Sequence, residues 1–473
     1  MTSGTVMPIV RVAILADSRL TEMALPAELP LREILPAVQR LVVPATQNGD
    51  ADAADSGAAA QLSLAPIGGA PFSLDASLDT VGVVDGDLLA LQPIPAGPAA
   101  PGIVEDIADA AMIFSNSRLK PWGATHIQRG ALAATIGAAI VATGLAVSHR
   151  VATGALAGLL AVAGIAAVVA LAGLLITPRA ARTGVALSIA ALVPIGAALA
   201  LAVPGRFGPA QVLLGAAGVT AWSLIALMIP SAERERVVAF FTAVAVVGAG
   251  VLLAAGALLL WQLPMLSIGC GLIAAALLVT VQAAQLSALW AHFPLPVIPA
   301  PGDPTPSAPS LRVLEDLPRR VRVSDAHQSG FIAAAVLLSV LGSVAIAARP
   351  EALSGVGWYV VAATAATAML RARVWDSAVC KAWLLAQPYL VAGILLVVYT
   401  STGHYGAAFG AVLVLTGLAL AWVGVAMNPR IASPESYSLP LRRLLGFVAA
   451  GLDASLIPVM AYLVGLFSLV LNR

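Results

Sequence analysis

LDTVGVVDGDLLALQP, residues 78–93, reads as the closing strand of a small soluble domain. Asp85-Gly86 is a turn signal, Leu88-Leu89-Ala90-Leu91 is a short strand-like run, and Pro93 stops it. The chain around it is of another kind. Of its 473 residues 60% are hydrophobic and only 10% charged, against about a quarter charged in an ordinary soluble domain. The average conceals a division. Residues 1–129 carry polar turns, charges and short amphipathic runs, whereas 130–471 is a series of apolar blocks broken by brief basic loops. A water-soluble head on a membrane-embedded body is the first expectation.

Upstream of the quoted stretch, Ile9 to Leu15 is a strand candidate with Val10, Val12 and Ile14 on one face. Asp17-Ser18 turns the chain, and Leu20 to Leu25 returns as the second arm of a hairpin. The segment 29–42, LPLREILPAVQRLV, places Leu31, Ile34, Leu35, Val38, Leu41 and Val42 on one helical face. Pro30 suits a first helical position, and Pro36 predicts a kink or a late start. Residues 45–60 lack periodicity and read as a mobile loop, Leu62-Ser63-Leu64 as a third strand, Gly68-Gly69 as a turn. Two strands, a helix across the sheet and two further strands make the α+β layout of a β-grasp.

On ALPAELPLREILPAVQRLV (24–42) and DTVGVVDGDLLALQP (79–93), with the apolar blocks that follow, residues 1–95 resemble a cytosolic ubiquitin-like domain. The whole chain resembles the EccD family, the polytopic core subunit of the type VII (ESX) secretion systems of actinobacteria. That resemblance implies a structural membrane subunit that forms a homodimer around a lipid-lined space. It also implies assembly with EccB, EccC (the ATPase) and EccE, the head docking cytosolic partners. Ubiquitin-style conjugation is not expected, because the segment runs on into Pro93-Ile94-Pro95 and no lysine precedes Lys120. No motif distinguishes the paralogous ESX systems; the iron-linked one is weakly favoured.

Residues 96–129 form a linker, Pro/Gly/Ala-rich at first, then with Val104, Ile107, Ala108, Ala111 and Phe114 on one face of an amphipathic helix. From 130 to 471 the chain is expected to be all-α. A span takes about 20 apolar residues. Eleven segments qualify: 130–147, 151–176, 184–203, 209–230, 237–261, 263–290, 329–348, 352–370, 384–400, 404–427 and 444–471. The divisions at 148–150 and 261–263 are the least defined. Ile9 to Leu15 is too short for a signal peptide and carries Arg11, so the amino terminus is expected in the cytoplasm. On its side lie Arg179, Arg182, Arg234, Arg236, Arg312, Arg319, Arg320, Arg322, Arg371, Arg373, Lys381, Arg430, Arg442 and Arg443. Opposite them stand only Arg150, Arg206, Arg349 and Arg473. Positive charge stays inside, which places the head in the cytoplasm and the tail outside the inner membrane. Loop 291–328 is then cytoplasmic, polyproline-like at first. Its Arg312, Arg319, Arg320 and Arg322 are candidates for contact with acidic lipid headgroups or a partner, beside ordinary anchoring.

Chemistry is sparse. A net charge of +1 gives no field for nucleic acid, and Cys270 and Cys380 (in a block and a short loop) lack the spacing of a metal site. No HExxH, GxxxxGK[ST] or GxSxG occurs, so no cofactor and no enzyme activity are expected, and any ATP energy must come from another subunit. The five histidines fall at span ends or in loops. Asp453 is the candidate intramembrane polar group. With no His, Lys or Arg at comparable depth in another span, it is expected to bond Ser455 or a neighbouring helix, or to mark a break near Pro458, a structural role. Gln282 and Gln285, one turn apart, suggest interhelical hydrogen bonds. Gly403, Gly410, Gly417 and Gly424 recur every seven residues, as do Gly130, Gly137 and Gly144, marking seams within the chain or between copies. The alternative is a secondary transporter with an accessory head, with Pro194, Pro388 and Pro458 as helix breaks. A carrier needs mid-membrane polarity converging from several spans, which the sequence does not display.

Overall fold

A strand enters a sheet where its turn sends it, and Asp85-Gly86 sends the last strand of the head alongside the first. Gly86 sits at φ +92, its N–H donates to the Arg11 carbonyl at 2.8 Å, and Asp85 accepts from the Arg11 N–H. The dipeptide therefore docks onto a distant strand instead of closing a hairpin. In this computed structural model, residues 8–16, 19–42, 62–67, 69–94, 122–229, 234–293, 311–428 and 438–471 are described. They fall in two compact units, Met1–Ala131 and Leu132–Arg473.

The first unit contains β1 (Ile9–Ala16), β2 (Arg19–Pro26), α1 (Leu31–Val42), β3 (Leu62–Pro66) and β4 (Leu88–Pro93). The sheet order is β2-β1-β4-β3, β4 running parallel to β1 and antiparallel to β3. Val12, Ile14, Leu64, Leu78 and Leu89 bury against Leu31, Leu35 and Val38 of α1. Pro36 lies inside α1, which starts at Leu31, so the late start is not seen; Pro30 precedes the helix and bridges Ser77. Leu41 is 71% exposed, contrary to expectation. At about 100° per residue it falls some 80° from the middle of the apolar arc, past the sheet's edge. The Asp17-Ser18 turn, the 45–60 loop, Gly68, residues 95–121 of the linker and 294–310 lie outside the described residues.

The division falls within the helix α2 (Ala124–Thr153), and the second unit continues as helices: α3 (Leu156–Ile176), α4 (Ala181–Ala190), α5 (Leu192–Ala202), α6 (Pro209–Met228), α7 (Arg234–Trp261) and α8 (Met265–Trp290). It continues with α9 (Leu311–Ala347), α10 (Gly355–Arg371), α11 (Ala378–Ser401), α12 (Tyr405–Met427), α13 (Leu439–Leu463) and α14 (Leu466–Leu471). Each predicted span carries a helix. Among the described residues ten are long and apolar enough to cross a bilayer, α4 and α5 counting together. The segment predicted at 352–370 is α10, with 17 residues.

Four details depart from expectation. The division placed at 148–150 lies inside α2, and the chain breaks instead at Gly154, φ +69. The span 184–203 is interrupted at Ala191, where Pro194 has no N–H to offer the Ala190 carbonyl. Cys380 is not in a loop but fully buried within α11. The second half of loop 291–328 is helix: α9 has 37 residues, roughly 55 Å at 1.5 Å each, about 25 Å more than a hydrocarbon core. Its charges and Pro318 hide the helical periodicity from sequence reading. α9 is also the hub, with 78% of its span buried; α2 and α12 lie at the margin, with 11% and 6%.

Candidate functional site

Polar side chains are expensive in hydrocarbon, and this unit gathers its own where α8, α9, α10 and α11 meet. Gln387 of α11, one residue before Pro388, donates to Ser339 Oγ of α9 at 2.9 Å and to the Thr364 carbonyl of α10 at 3.4 Å. The Thr280 and Thr364 hydroxyls turn back to the carbonyls one turn earlier, Ala276 and Val360. Thr367, 2% exposed, has no hydrogen-bond partner for Oγ1 among the described residues. These groups line a cavity of about 20 Å³ that also touches Arg371.

Arg371 ends α10, and its Nε and Nη2 each stand 2.9 Å from Asp453 Oδ2 of α13. Both side chains are largely covered, 18% and 26% exposed. Asp453 is thus ion-paired across helices, which corrects the expectation that no arginine reaches its depth. Arg371 looked like a loop cation because it closes an apolar run. At 17 residues α10 is only about 25 Å long, and its end meets α13 some 21 Å from the start of that helix. Ser455 bonds the Tyr359 hydroxyl at 2.6 Å rather than Asp453, whose Oδ1 is buried without a partner among the described residues. Gln282 is half-buried and Gln285 exposed; the glutamine that crosses helices is Gln387. Sequence reading missed Gln387, Thr364, Thr367 and Ser339 because each is an uncharged polar residue in an otherwise apolar block, and only packing reveals that they share a layer.

The projecting end of α9 holds the arginine candidates. Arg320 Nε is 2.7 Å from Asp316 Oδ2 and Arg319 Nη1 is 3.6 Å from Asp316 Oδ1, while Arg322 reaches Glu235 of α7 at 3.1 Å. The hydrogen bond from Arg320, with the charges of Arg320 and Arg319, holds the Asp316 carboxyl below its usual pKa. Arg319 and Arg322 remain 62% and 60% exposed, so their outer faces stay available. The side chain of Arg312 lies outside the described residues. His327, expected in the loop, is buried against Thr242, its Nδ1 2.8 Å from that hydroxyl.

Neither glycine series is closely packed among the described residues. A methyl group added at Gly130, Gly137, Gly144, Gly410, Gly417 or Gly424 would meet no atom within 4 Å among the described residues. Gly403, at φ +79, makes the turn before α12. The close crossings lie elsewhere: a methyl at Gly269 of α8 would stand 2.7 Å from the Gly342 carbonyl of α9, and one at Gly342 2.6 Å from the Gly269 carbonyl. Convergent polarity, which a carrier would require, is present after all. Its volume is not. A cavity of about 20 Å³ has room for bound water and not for a solute, and the roomier space of about 380 Å³ between α10, α11 and α12 is almost wholly apolar.

Comparison with known proteins covers the whole chain. Residues 9–91 match a family described as the WXG100 protein secretion system (Wss) protein YukD, and residues 129–472 match the EccD-like transmembrane domain. The ESX-3 secretion system protein EccD3 of Mycobacterium tuberculosis (strain ATCC 25618 / H37Rv) is 86% identical over 471 residues, covering 100% of both chains. Its namesake in Mycolicibacterium smegmatis (strain ATCC 700084 / mc(2)155) is 62% identical over 478 residues, again covering 100% of both. Among solved structures, protomer 1 of the ESX-3 core complex is 60% identical, with a TM-score of 0.69 over 98% of this chain and 100% of that one. A chain of the MycP5-free ESX-5 inner membrane complex, 20% identical, shares the fold, with a TM-score of 0.58 over 88% of this chain and 99% of its own.

Proposed function

The chain belongs to the EccD family of type VII (ESX) secretion membrane components, and we propose that it is a non-catalytic structural subunit of an ESX-3-type complex in the inner membrane. It pairs there with a second copy and docks EccB, EccE and the ATPase EccC. The observation that carries this reading is where polarity and small residues lie. Gln387 joins α11 to α9 and α10 beside a space with room only for bound water, Arg371 pairs with Asp453 of α13, and α2 and α12 carry glycines that meet no neighbour within 4 Å among the described residues. The first arrangement suits a rigid wall; the second suits contact with other helices.

With Arg371 set aside as the partner of Asp453, thirteen cations against four support a cytoplasmic head and an outer carboxyl terminus. The outer face of the head's sheet, with Ile9, Arg11, Leu20, Glu22 and Ala24 exposed, is the surface offered to cytosolic partners. Arg319 and Arg322 on the projecting end of α9 supply a second contact, with anionic lipid or an acidic partner.

The test is purification of the complex in mild detergent with the full chain or with residues 1–94 deleted. The shortened chain should insert in the membrane and lose the ATPase. Undiminished co-purification would overturn the docking role of the head.

A further inference from the structure

Thr367 Oγ1 is a buried hydroxyl with no partner among the described residues, and it lines the cavity of about 20 Å³ between α8, α9, α10 and α11. A threonine inside a helix ordinarily quiets its hydroxyl on the carbonyl one turn back, as Thr364 and Thr280 do in the same cavity wall. Thr367 does not. On the same wall and one turn away stands Arg371, whose guanidinium carries five N–H donors. Its Nε and Nη2 contact Asp453 Oδ2, which leaves donors over. Ser339 Oγ, also in the wall, accepts from Gln387 and keeps its own proton to give. A buried water needs a polar space just above its own size and two to four partners. This cavity supplies both.

We propose that the cavity is a binding site for one water molecule, which satisfies Thr367 Oγ1 and joins it to the spare N–H groups of Arg371 and to Ser339. The water solvates the guanidinium on the side away from Asp453. An ion pair can then persist among apolar helices, and α13 is fastened to α10 through a hydrated link.

Removing an orphan hydroxyl and removing a hydrated one have opposite signs. The test is thermal unfolding of the purified full-length chain in lipid nanodiscs, with Thr367→Val, Thr367→Ser and Ser343→Ala. Ser343 Oγ is also buried without a partner among the described residues, but Ser343 does not line this cavity. With water bound, Thr367→Val lowers Tm by about 1–3 °C while Thr367→Ser stays near wild type. Ser343→Ala causes no loss. A Thr367→Val chain as stable as wild type or more so would overturn the proposal. A fall confined to Thr367→Ser, which keeps the hydroxyl and loses the methyl, with Thr367→Val at wild type, would likewise overturn it, since packing alone would then explain the position. A high-resolution density map of the assembled complex decides directly. A peak within ~3.2 Å of Thr367 Oγ1 supports the site, and an ordered wall with no peak sinks it.

Discussion

Asp453→Asn is the substitution with most to say about the body, because it removes one charge and almost no volume from a pair held at 2.9 Å. With both side chains about three-quarters covered, solvent screens the pair only partly. Severing a fully buried pair costs ~3–5 kcal/mol, and an uncompensated arginine at a membrane helix centre costs ~2.5–3.5 kcal/mol. Discounting for the exposed fraction, Asp453→Asn should cost about 2 kcal/mol, the new amide oxygen still accepting one hydrogen bond from Arg371. Asp453→Leu, which loses that bond as well, should cost about 3 kcal/mol. These correspond to roughly 30-fold and 150-fold in the folding equilibrium. Arg371→Leu combined with Asp453→Leu should recover much of the loss, since no charge is left without its partner. The assay is a double-mutant cycle on denaturation midpoints of the purified chain, with abundance of the assembled complex measured in parallel. A cycle that closes with no coupling, or Asp453→Asn within a few tenths of a kcal/mol of wild type, would refute the reasoning. Loss of export with assembly and stability intact would instead give the carboxylate a working role, such as proton passage.

Three glycines divide by what surrounds them. Gly342→Ala drives a methyl to 2.6 Å from the Gly269 carbonyl, so α8 and α9 must part; a loss of about 1–3 kcal/mol is expected in thermal or denaturant unfolding. A β-carbon at Gly417 meets nothing within 4 Å among the described residues, so Gly417→Leu should leave unfolding of the chain unchanged while weakening self-association, measured by light scattering in detergent. Gly86→Ala forces a β-carbon onto φ +92 at the entry to β4, costing roughly 1–2 kcal/mol and exposing the head to limited proteolysis of the full chain before the body.

The head was legible because its signals are local. Val10, Val12 and Ile14 alternate, the face of α1 repeats at helical spacing, and Asp85-Gly86 names a turn; only the strand to which that turn delivers β4 required the third dimension. The body was legible as segments but not as contacts. Length and apolarity identify a span, yet nothing in a run of Ala, Leu and Val says which flank meets which neighbour. Asp453 was visible as a lone carboxylate, whereas Arg371, 82 positions away, was hidden at the end of another block. Gln387 was passed over for Gln282 and Gln285, which look more like a motif because they stand one turn apart. Glycine periodicity misled in a related way. The regular series is unpacked among the described residues, and the close crossing is made by Gly269 and Gly342, which belong to no repeat.

That contrast bears on what surrounds α2 and α12. Glycine in a helix costs about 1 kcal/mol relative to alanine, and α12 carries Gly410, Gly417 and Gly424 on a span only 6% buried. Against lipid alone nothing offsets that cost, because acyl chains pack on leucine at least as well. In a bilayer the offset comes when another backbone approaches closely enough to use the missing side chain. Inside this chain that happens at Gly269 and Gly342, and there the helices do touch. Glycines that no helix approaches closely among the described residues, repeated on two marginal helices, are therefore best understood as built for a helix from outside the chain, which in the proposed dimer is that of a second copy. The physical ground is an energetic cost borne by the isolated chain and recovered only in an assembly.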